Sequence, residues 1–446
     1  RPPRSTPLYS SAASDVYKRQ LLCGLSNSMF FFIFSRAIQG IGFAGVMGTI
    51  WILIASLWEP KERGKWLGIT SAGFTTSGVI GPIIGGVIND ILNWRWIFHL
   101  NIPISIFAII FLIKIFPKQD LLEKKKFDYY GALVFSIFAS TFLFAISSLN
   151  NSSSTISISF FLLIAASLIS LGIFIYYEKN NPEGLVDLIL FKYKFFTGGM
   201  LGSLFIVISW TVWSVFLPLT LIGVNGYSAS KASLALIALS IGSAIGANFF
   251  GNLIGNPRMY LPVSITGFSV VGISMVISGY TNLEINFNYM LLLALFVGFG
   301  STGAFSAYTV PIQNNLPEER LAIITTSLQF SRVFGISLGS SLLGVILLLN
   351  MNTYDYDSPR KEIYDPDNIA SVEKIKEIKN FYLESNLSTS QFEEDLAISR
   401  NNLKNGLKIV YYSASITAIF GIIISIYIFR KINLLQLEEE DSKQNE

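Results

Sequence analysis

From residue 37 to the C-terminal region, charged side chains are separated by uncharged apolar runs longer than the roughly 20 residues that cross a bilayer as a helix. The class this pattern dictates is an all-α polytopic membrane protein. Composition points the same way: of 446 residues, 51% are hydrophobic and only 14% charged, against about 25% charged in a soluble domain. A net charge of +3 spread over loops gives no nucleic-acid surface. Cys23 is the single cysteine and His99 the single histidine, so neither a disulfide framework nor a Cys-based or multi-His metal site is open to the chain.

The runs predict eleven helices, over 28–57, 66–89, 98–116, 130–148, 156–178, 196–222, 232–254, 259–280, 288–312, 321–349 and 407–430, after the remnant of another at "LLCGL". Residues 1–20 are polar, carry Pro and Ser, and lack an initiator Met; they are set aside as a non-native leader. The expected organisation is then a truncated N-terminal bundle over 21–116 and a central two-helix insertion over 117–195. A C-terminal bundle over 196–349, a polar loop over 350–405, a last membrane helix over 406–430 and an acidic tail over 431–446 follow.

Short loops holding Lys61, Arg63 and Lys65; Lys118 and Lys124 to Lys126; Lys179, Lys192 and Lys194; Arg258; Arg320; and Arg430 with Lys431 alternate with loops poor in positive charge. The first set is cytoplasmic by the positive-inside rule. Loop 350–405 falls on the opposite side; its stretch "SVEKIKEIKNFYLES" reads either as an amphipathic helix or as a solvated segment. The tail "LEEEDSKQNE" reads as a disordered cytoplasmic end.

Three stretches carry candidate function. In "SRAIQGIGFAG", Gly40, Gly42 and Gly45 satisfy G-x-G-x-x-G, and Glu59 stands at a spacing that suits a dinucleotide site. The residues that follow, "VMGTIWILIASL", lack the turn and polar face that such a unit needs. On a membrane helix, Gly40, Gly42, Ala44 and Gly48 instead offer a small-residue contact surface. Arg36 and Gln39 stand a turn earlier, and an arginine in a lipid-facing helix costs at least ~2.5 kcal/mol. Arg36 therefore faces a cavity or partner, or else snorkels from a helix end. In "SGVIGPIIGG", Gly81, Pro82, Gly85 and Gly86 combine a close-contact face with a kink, serving either packing or bending. In "NWRWIFHLNIP", Trp94, Trp96 and His99 suit an interfacial aromatic belt. "GISLG" around Ser337 mimics a nucleophile elbow inside an apolar helix, without a base to serve it.

The ordered set resembles the fourteen-helix drug:proton antiporters of the major facilitator superfamily, the EmrB/QacA type. Its L-x-x-x-R-x-x-Q-G-x-G pattern looks like Arg36, Gln39, Gly40 and Gly42, with Phe32 in place of leucine. Its G-x-x-x-G-P-x-x-G-G motif looks like Gly81, Pro82, Gly85 and Gly86, with Ser77 in place of the first glycine. Its W-R-W-x-F-x-x-N-x-P junction matches Trp94, Arg95, Trp96, Phe98, Asn101 and Pro103. "SLQFSRVFGISLG" is similar to its thirteenth helix, with Arg332, Gly335 and Gly339 in place, while "GNLIGNPR" fits its cytoplasmic loop at Gly251, Leu253 and Arg258 but lacks the aspartate.

The resemblance implies two helix bundles plus a central pair, helices four to fourteen of fourteen, with the family's helix-one acid among the residues before the chain begins. It implies a proton-coupled exporter of drugs or amphipathic molecules working by alternating access in the cell inner or plasma membrane, with no cofactor beyond the proton gradient. Arg36 and Gln39 are then the coupling candidates. Ser209, Trp210, Trp213, Ser306, Tyr308 and Arg332 are cavity candidates for stacking and cation-π contact with cargo. Expected partners are a small-molecule substrate, protons and lipid, with no nucleic acid and a periplasmic adaptor left open. No catalytic or metal residue is expected. The alternatives are an exporter of one metabolite, such as a siderophore or amino acid, and a non-transporting membrane protein or inactive fragment.

Overall fold

The structure is a computed structural model. It describes residues 20–57, 95–115, 128–149, 158–181, 184–281, 286–316, 320–351, 360–369, 372–385 and 388–444, with Leu283 and single positions between 66 and 92. Among the described residues every regular element is a helix. The chain divides into two compact units, one of residues 1–70 with 79–127 and the other of 71–78 with 128–446.

The first unit holds α1 (Met29–Leu57) and α2 (Arg95–Ile115), preceded by a helical turn at 20–24. The expected helix 66–89 lies largely outside the described residues, as do Pro82, Gly86 and Trp94. Helix α2 starts at Arg95, so the junction motif occupies its first turns and Pro103 lies inside the helix. Asn101 and Ser105 both bond to α2's own backbone, Asn101 Nδ2 to the Ile97 carbonyl and Ser105 Oγ to the Asn101 carbonyl.

The second unit begins with a helix pair, α3 (Tyr129–Ser148) and α4 (Ile158–Asn180). Asp128 caps α3, its Oδ1 accepting from the Gly131 amide at 2.9 Å. Helix α5 (Lys194–Thr211) continues to Val224 through π turns at Val212–Phe216 and Thr220–Val224. Pro218 stands between those turns, where its missing N–H breaks the regular ladder and the wider hydrogen-bond ring absorbs the break. Helices α6 (Ala229–Leu253), α7 (Tyr260–Tyr280), α8 (Phe287–Asn315) and α9 (Leu321–Leu349) follow, with Ser228 and Asn286 capping α6 and α8. Among the described residues eight helices, α3 to α9 and the last, are long and apolar enough to cross a membrane.

The described residues of segment 350–405 are largely helical. Two single turns precede α10 (Val372–Glu384), and α11 runs without interruption from Thr389 to Gln444. The apolar run 407–430 is thus the middle of a longer helix, whose leading polar turns a hydropathy reading does not see. Ile363, Ile378, Tyr382, Phe392 and Leu396 make a small apolar cluster. At its edge Asp395, 1% exposed, accepts from the hydroxyls of Tyr364 and Tyr382 at 3.0 and 3.1 Å. The tail over 431–444 is helical, where its charge suggests disorder; its Leu, Glu, Gln and Lys residues are good helix formers that extend a helix already nucleated.

In lipid no hydrophobic force drives helix against helix, so close approach depends on small residues. Helices α6 and α8 meet where Gly242 and Gly246 face the backbone of Leu295 and Phe299, and Gly298 faces that of Leu239. Gly267 and Gly300 bring α7 to α8, and Gly421 of α11 lies under the Phe268 ring of α7. Gly335 and Gly339 bring α9 to Leu204 and Ile208 of α5, and Ser331 Oγ donates to the Met200 carbonyl at 2.7 Å. The pair α3/α4 joins this bundle through rings: Phe135 meets Phe330 at a tilt at 4.8 Å and Phe142 stacks on Phe334 at 5.9 Å, with Ser147 Oγ 3.2 Å from Ser341 Oγ. Replacing Gly298 by Val would overpack the α6–α8 crossing against backbone and lower stability by about 1–3 kcal/mol. Thermal unfolding of the purified protein in detergent measures this, with Gly251→Ala, whose site has no neighbour within 4 Å, expected to be neutral.

Candidate functional site

In the first unit, two of the sequence motifs come together. Arg36 Nη1 donates to Gln39 Oε1 at 2.5 Å on α1, and the guanidinium lies 5.8 Å from the Phe98 ring of α2. Phe32 packs edge-on to the same ring at 5.8 Å, so the residue standing in place of the family leucine contributes an aromatic clamp. Cys23 Sγ approaches Gln39 Oε1 at 3.8 Å. Arg36 is exposed within its unit, and at seven residues into α1 it lies about 10 Å along the helix.

Arg95 fixes the preceding turn onto α2, its Nε and Nη2 donating to the Ser26 carbonyl at 3.2 and 3.0 Å. The His99 ring closes over Gly24, and Trp96 lies edge-on to His99 at 5.6 Å. A cavity of about 350 Å³ lies beside this staple, lined by Ser26, Asn27, Ser28, Met29, Phe32 and Arg95. Of the small-residue stripe, Gly42 is buried, whereas a Cβ at Gly40 would meet nothing within 4 Å; the side chain of Ala44 and the surroundings of Gly48 lie outside the described residues. Gly81 has nothing within 4 Å either, and Gly85 meets only the Ile97 Cδ1 at 4.0 Å.

In the second unit Ser209, Trp213 and Tyr308 are enclosed in the bundle. Ser209 Oγ and Thr417 Oγ1 are 2.6 Å apart, joining α5 to α11. Trp213 is fully buried, edge-on to Tyr411 at 5.9 Å, with its Nε1 enclosed and lacking an acceptor. Tyr308 is fully buried over Gly202; its hydroxyl lies 2.7 Å from Ser425 Oγ and donates to the Gly421 carbonyl at 3.2 Å. Trp210 and Ser306 are half-buried.

Arg332 behaves differently. Its Nη2 donates to Thr309 Oγ1 at 2.6 Å, and its guanidinium lies 5.1 Å from the Phe305 ring, both on α8. Sequence reasoning missed Phe305 and Thr309, which lie in an apolar run where nothing singles them out. It also missed the α6–α8 crossing, although Gly242 and Gly246 stand at the i, i+4 spacing that announces one. Ser337 Oγ bonds back to the Val333 carbonyl of its own helix, which is not the setting of a nucleophile.

The long apolar helices with glycine-mediated crossings are those of a polytopic membrane protein. The profile of the Major Facilitator Superfamily matches residues 20–340, and the chain belongs to that superfamily of multi-pass membrane transporters. It is 29% identical over 326 residues to the multidrug transporter protein MdtP of Bacillus subtilis (strain 168), covering 73% of this chain and 60% of that protein. The multidrug efflux pump SdrM of Staphylococcus aureus (strain N315) is 26% identical over 75% of this chain and 73% of its own length. The chain spans 60 and 63% of the length of two Bacillus subtilis relatives it matches. Among solved structures, the human organic anion transporter MFSD10 aligns with a TM-score of 0.57 at 10% identity over 93% of this chain and 76% of that one. A bacterial homolog of the human lysosomal transporter Spinster aligns at 0.52 and 15% identity over 95 and 82%. At these identities the two structures speak to the fold alone.

The buried tyrosine network makes a direct test of packing against cargo contact. Tyr308→Phe is expected to cost about 1 kcal/mol of stability and to leave the substrate profile unchanged; a shifted profile would put the hydroxyl in contact with cargo.

Proposed function

We propose that this protein exports drug-like amphipathic molecules by alternating access, in exchange for protons, as a member of the fourteen-helix drug:proton antiporters. The observation that carries the proposal is the match of the Major Facilitator Superfamily profile to residues 20–340, since transporters of that fold work by rocking one helix bundle against another. The pair α3/α4, standing in sequence between α2 and the six-helix bundle, supports the fourteen-helix arrangement. Multidrug efflux relatives over nearly three quarters of the chain support the cargo class. The proposed partners are a small-molecule substrate, protons and the lipid of the inner or plasma membrane. The proton gradient supplies the energy, and no cofactor, metal or catalytic residue takes part.

Arg36 with Gln39 is the proposed coupling element. A guanidinium held by a side-chain amide and an aromatic face keeps its charge available to lower the pKa of an approaching acid or to exchange partners during the cycle. In proteoliposomes, adding substrate is expected to drive proton movement across a panel of amphipathic compounds, and a response to one metabolite alone would replace the multidrug proposal with a dedicated exporter. Arg36→Ala and Arg36→Lys are both expected to abolish coupled transport with insertion intact, because lysine keeps the charge without the planar fork. Normal transport by either variant returns Arg36 to a snorkelling role.

The pair α3/α4 is proposed to ride with the bundle it packs on. A disulfide between cysteines placed at Ser147 and Ser341 is therefore expected to leave transport intact. Loss of transport on oxidation, regained on reduction, would show that the pair slides against the bundle.

A further inference from the structure

The faces of α9 separate three roles. Phe330, Phe334 and Ser341 meet α3, Ser331, Gly335 and Gly339 meet α5, and Arg332 turns to α8. Arg332 stands 11 residues beyond Leu321, about 16 Å along a helix of about 43 Å. This places Arg332 in the central third of the helix.

Its partners are all neutral. Thr309 Oγ1 donates its own proton to the Phe305 carbonyl at 2.7 Å and accepts from Nη2, while the same Nη2 lies 3.5 Å from that carbonyl. Nε is enclosed without an acceptor, and no bond to Nη1 is formed among the described residues. Helices α5 to α9 contain no Asp or Glu, and α11 has none between 396 and 430. The bundle therefore holds a full positive charge at membrane depth with no carboxylate of its own to balance it. Ionisable groups within membrane helices face the bundle interior or a water-filled cavity and pair with other charges or backbone carbonyls. Arg332, Thr309 and Phe305 are each half-buried, so the niche opens at the bundle surface, with the Phe305 ring beside the charge.

We propose that the Arg332–Thr309–Phe305 niche receives the carboxylate of an amphipathic aromatic cargo, making organic anions a substrate class of this transporter. The proposal rests on the export function above and narrows its cargo. A guanidinium with unused N–H donors suits an oxyanion by charge-assisted hydrogen bonds, and the adjacent ring offers a stacking surface to the aromatic part. A cationic compound meets like charge at the same place.

The matched probes are 1-naphthoate and its uncharged methyl ester, titrated against the purified full chain in detergent. The protein is expected to bind the carboxylate at least about tenfold more tightly than the ester. Arg332→Gln is expected to bring naphthoate down to the level of the ester and leave the ester unchanged, and Arg332→Lys to retain part of the preference. Should Arg332→Gln fail to fold, Thr309→Val, which frees the guanidinium from its anchor, is expected to reduce the preference while leaving the ester unchanged. Equal binding of the two probes by the unaltered protein, as when another part of the protein supplies the counter-ion, overturns the proposal. An undiminished preference in folded Arg332→Gln overturns it as well. Gradient-driven uptake of the ester without a carboxylate preference would sink this inference alone, whereas absence of gradient-driven uptake of any compound would sink the export function beneath it.

Discussion

Close backbone contact at glycine is the interaction on which the bundle depends. Lipid tails solvate a leucine surface as well as another helix does, so burial of apolar area gives the helices little reason to meet. What remains is dispersion at short range, available only where no Cβ intervenes. Gly242, Gly246 and Gly298 supply it between α6 and α8, Gly267 and Gly300 between α7 and α8, and Gly335 and Gly339 between α9 and α5. The inter-helix hydroxyl bonds, Ser209 to Thr417 and Tyr308 to Ser425, form because the backbones are already near. Rings serve where glycine is absent, as in the seam of Phe135, Phe142, Phe330 and Phe334.

Much of this was legible in the residues. Charged punctuation marks helix ends in a membrane protein because Lys and Arg cannot be left in lipid, and the expected limits of 130–148 and 321–349 agree with Tyr129–Ser148 and Leu321–Leu349. The start of α11 was not legible, because Thr389 to Lys404 is polar and a hydropathy reading registers only what is apolar. Whether an aromatic lines an opening or fills a core was also hidden: Trp213 and Tyr308 sit in apolar runs that look alike on every face, and only the packing shows both rings closed in. Conversely, the pairing of Arg36 with Phe98 joins two motifs separated by more than sixty positions, which spacing alone cannot bring together.

Arg36 and Arg332 make an instructive contrast. Arg36 has a side-chain amide oxygen as neighbour and stands exposed in its unit, while Arg332 is anchored by a threonine hydroxyl and an aromatic face. Neither arrangement neutralises the charge. A positive group held by neutral dipoles keeps its field, and in a medium of low polarity that field acts over long distances. Helices α1, α2 and α5 to α9 contain no Asp or Glu that would neutralise either charge.

Helix α11 has a mechanical consequence. Its 56 residues amount to about 84 Å of continuous hydrogen-bonded rod, more than twice the ~30 Å hydrocarbon thickness, and no proline interrupts it. The same rod presents Phe392, Asp395 and Leu396 to the small cluster at one end and Gly421 and Ser425 to the bundle core further along. Because a helix resists twisting along its axis, the angular setting of that cluster is indexed to the seating of Gly421 beneath Phe268. A roll of α11 by one residue's worth, about 100°, would unseat both ends together, so the cluster and the bundle share a single register.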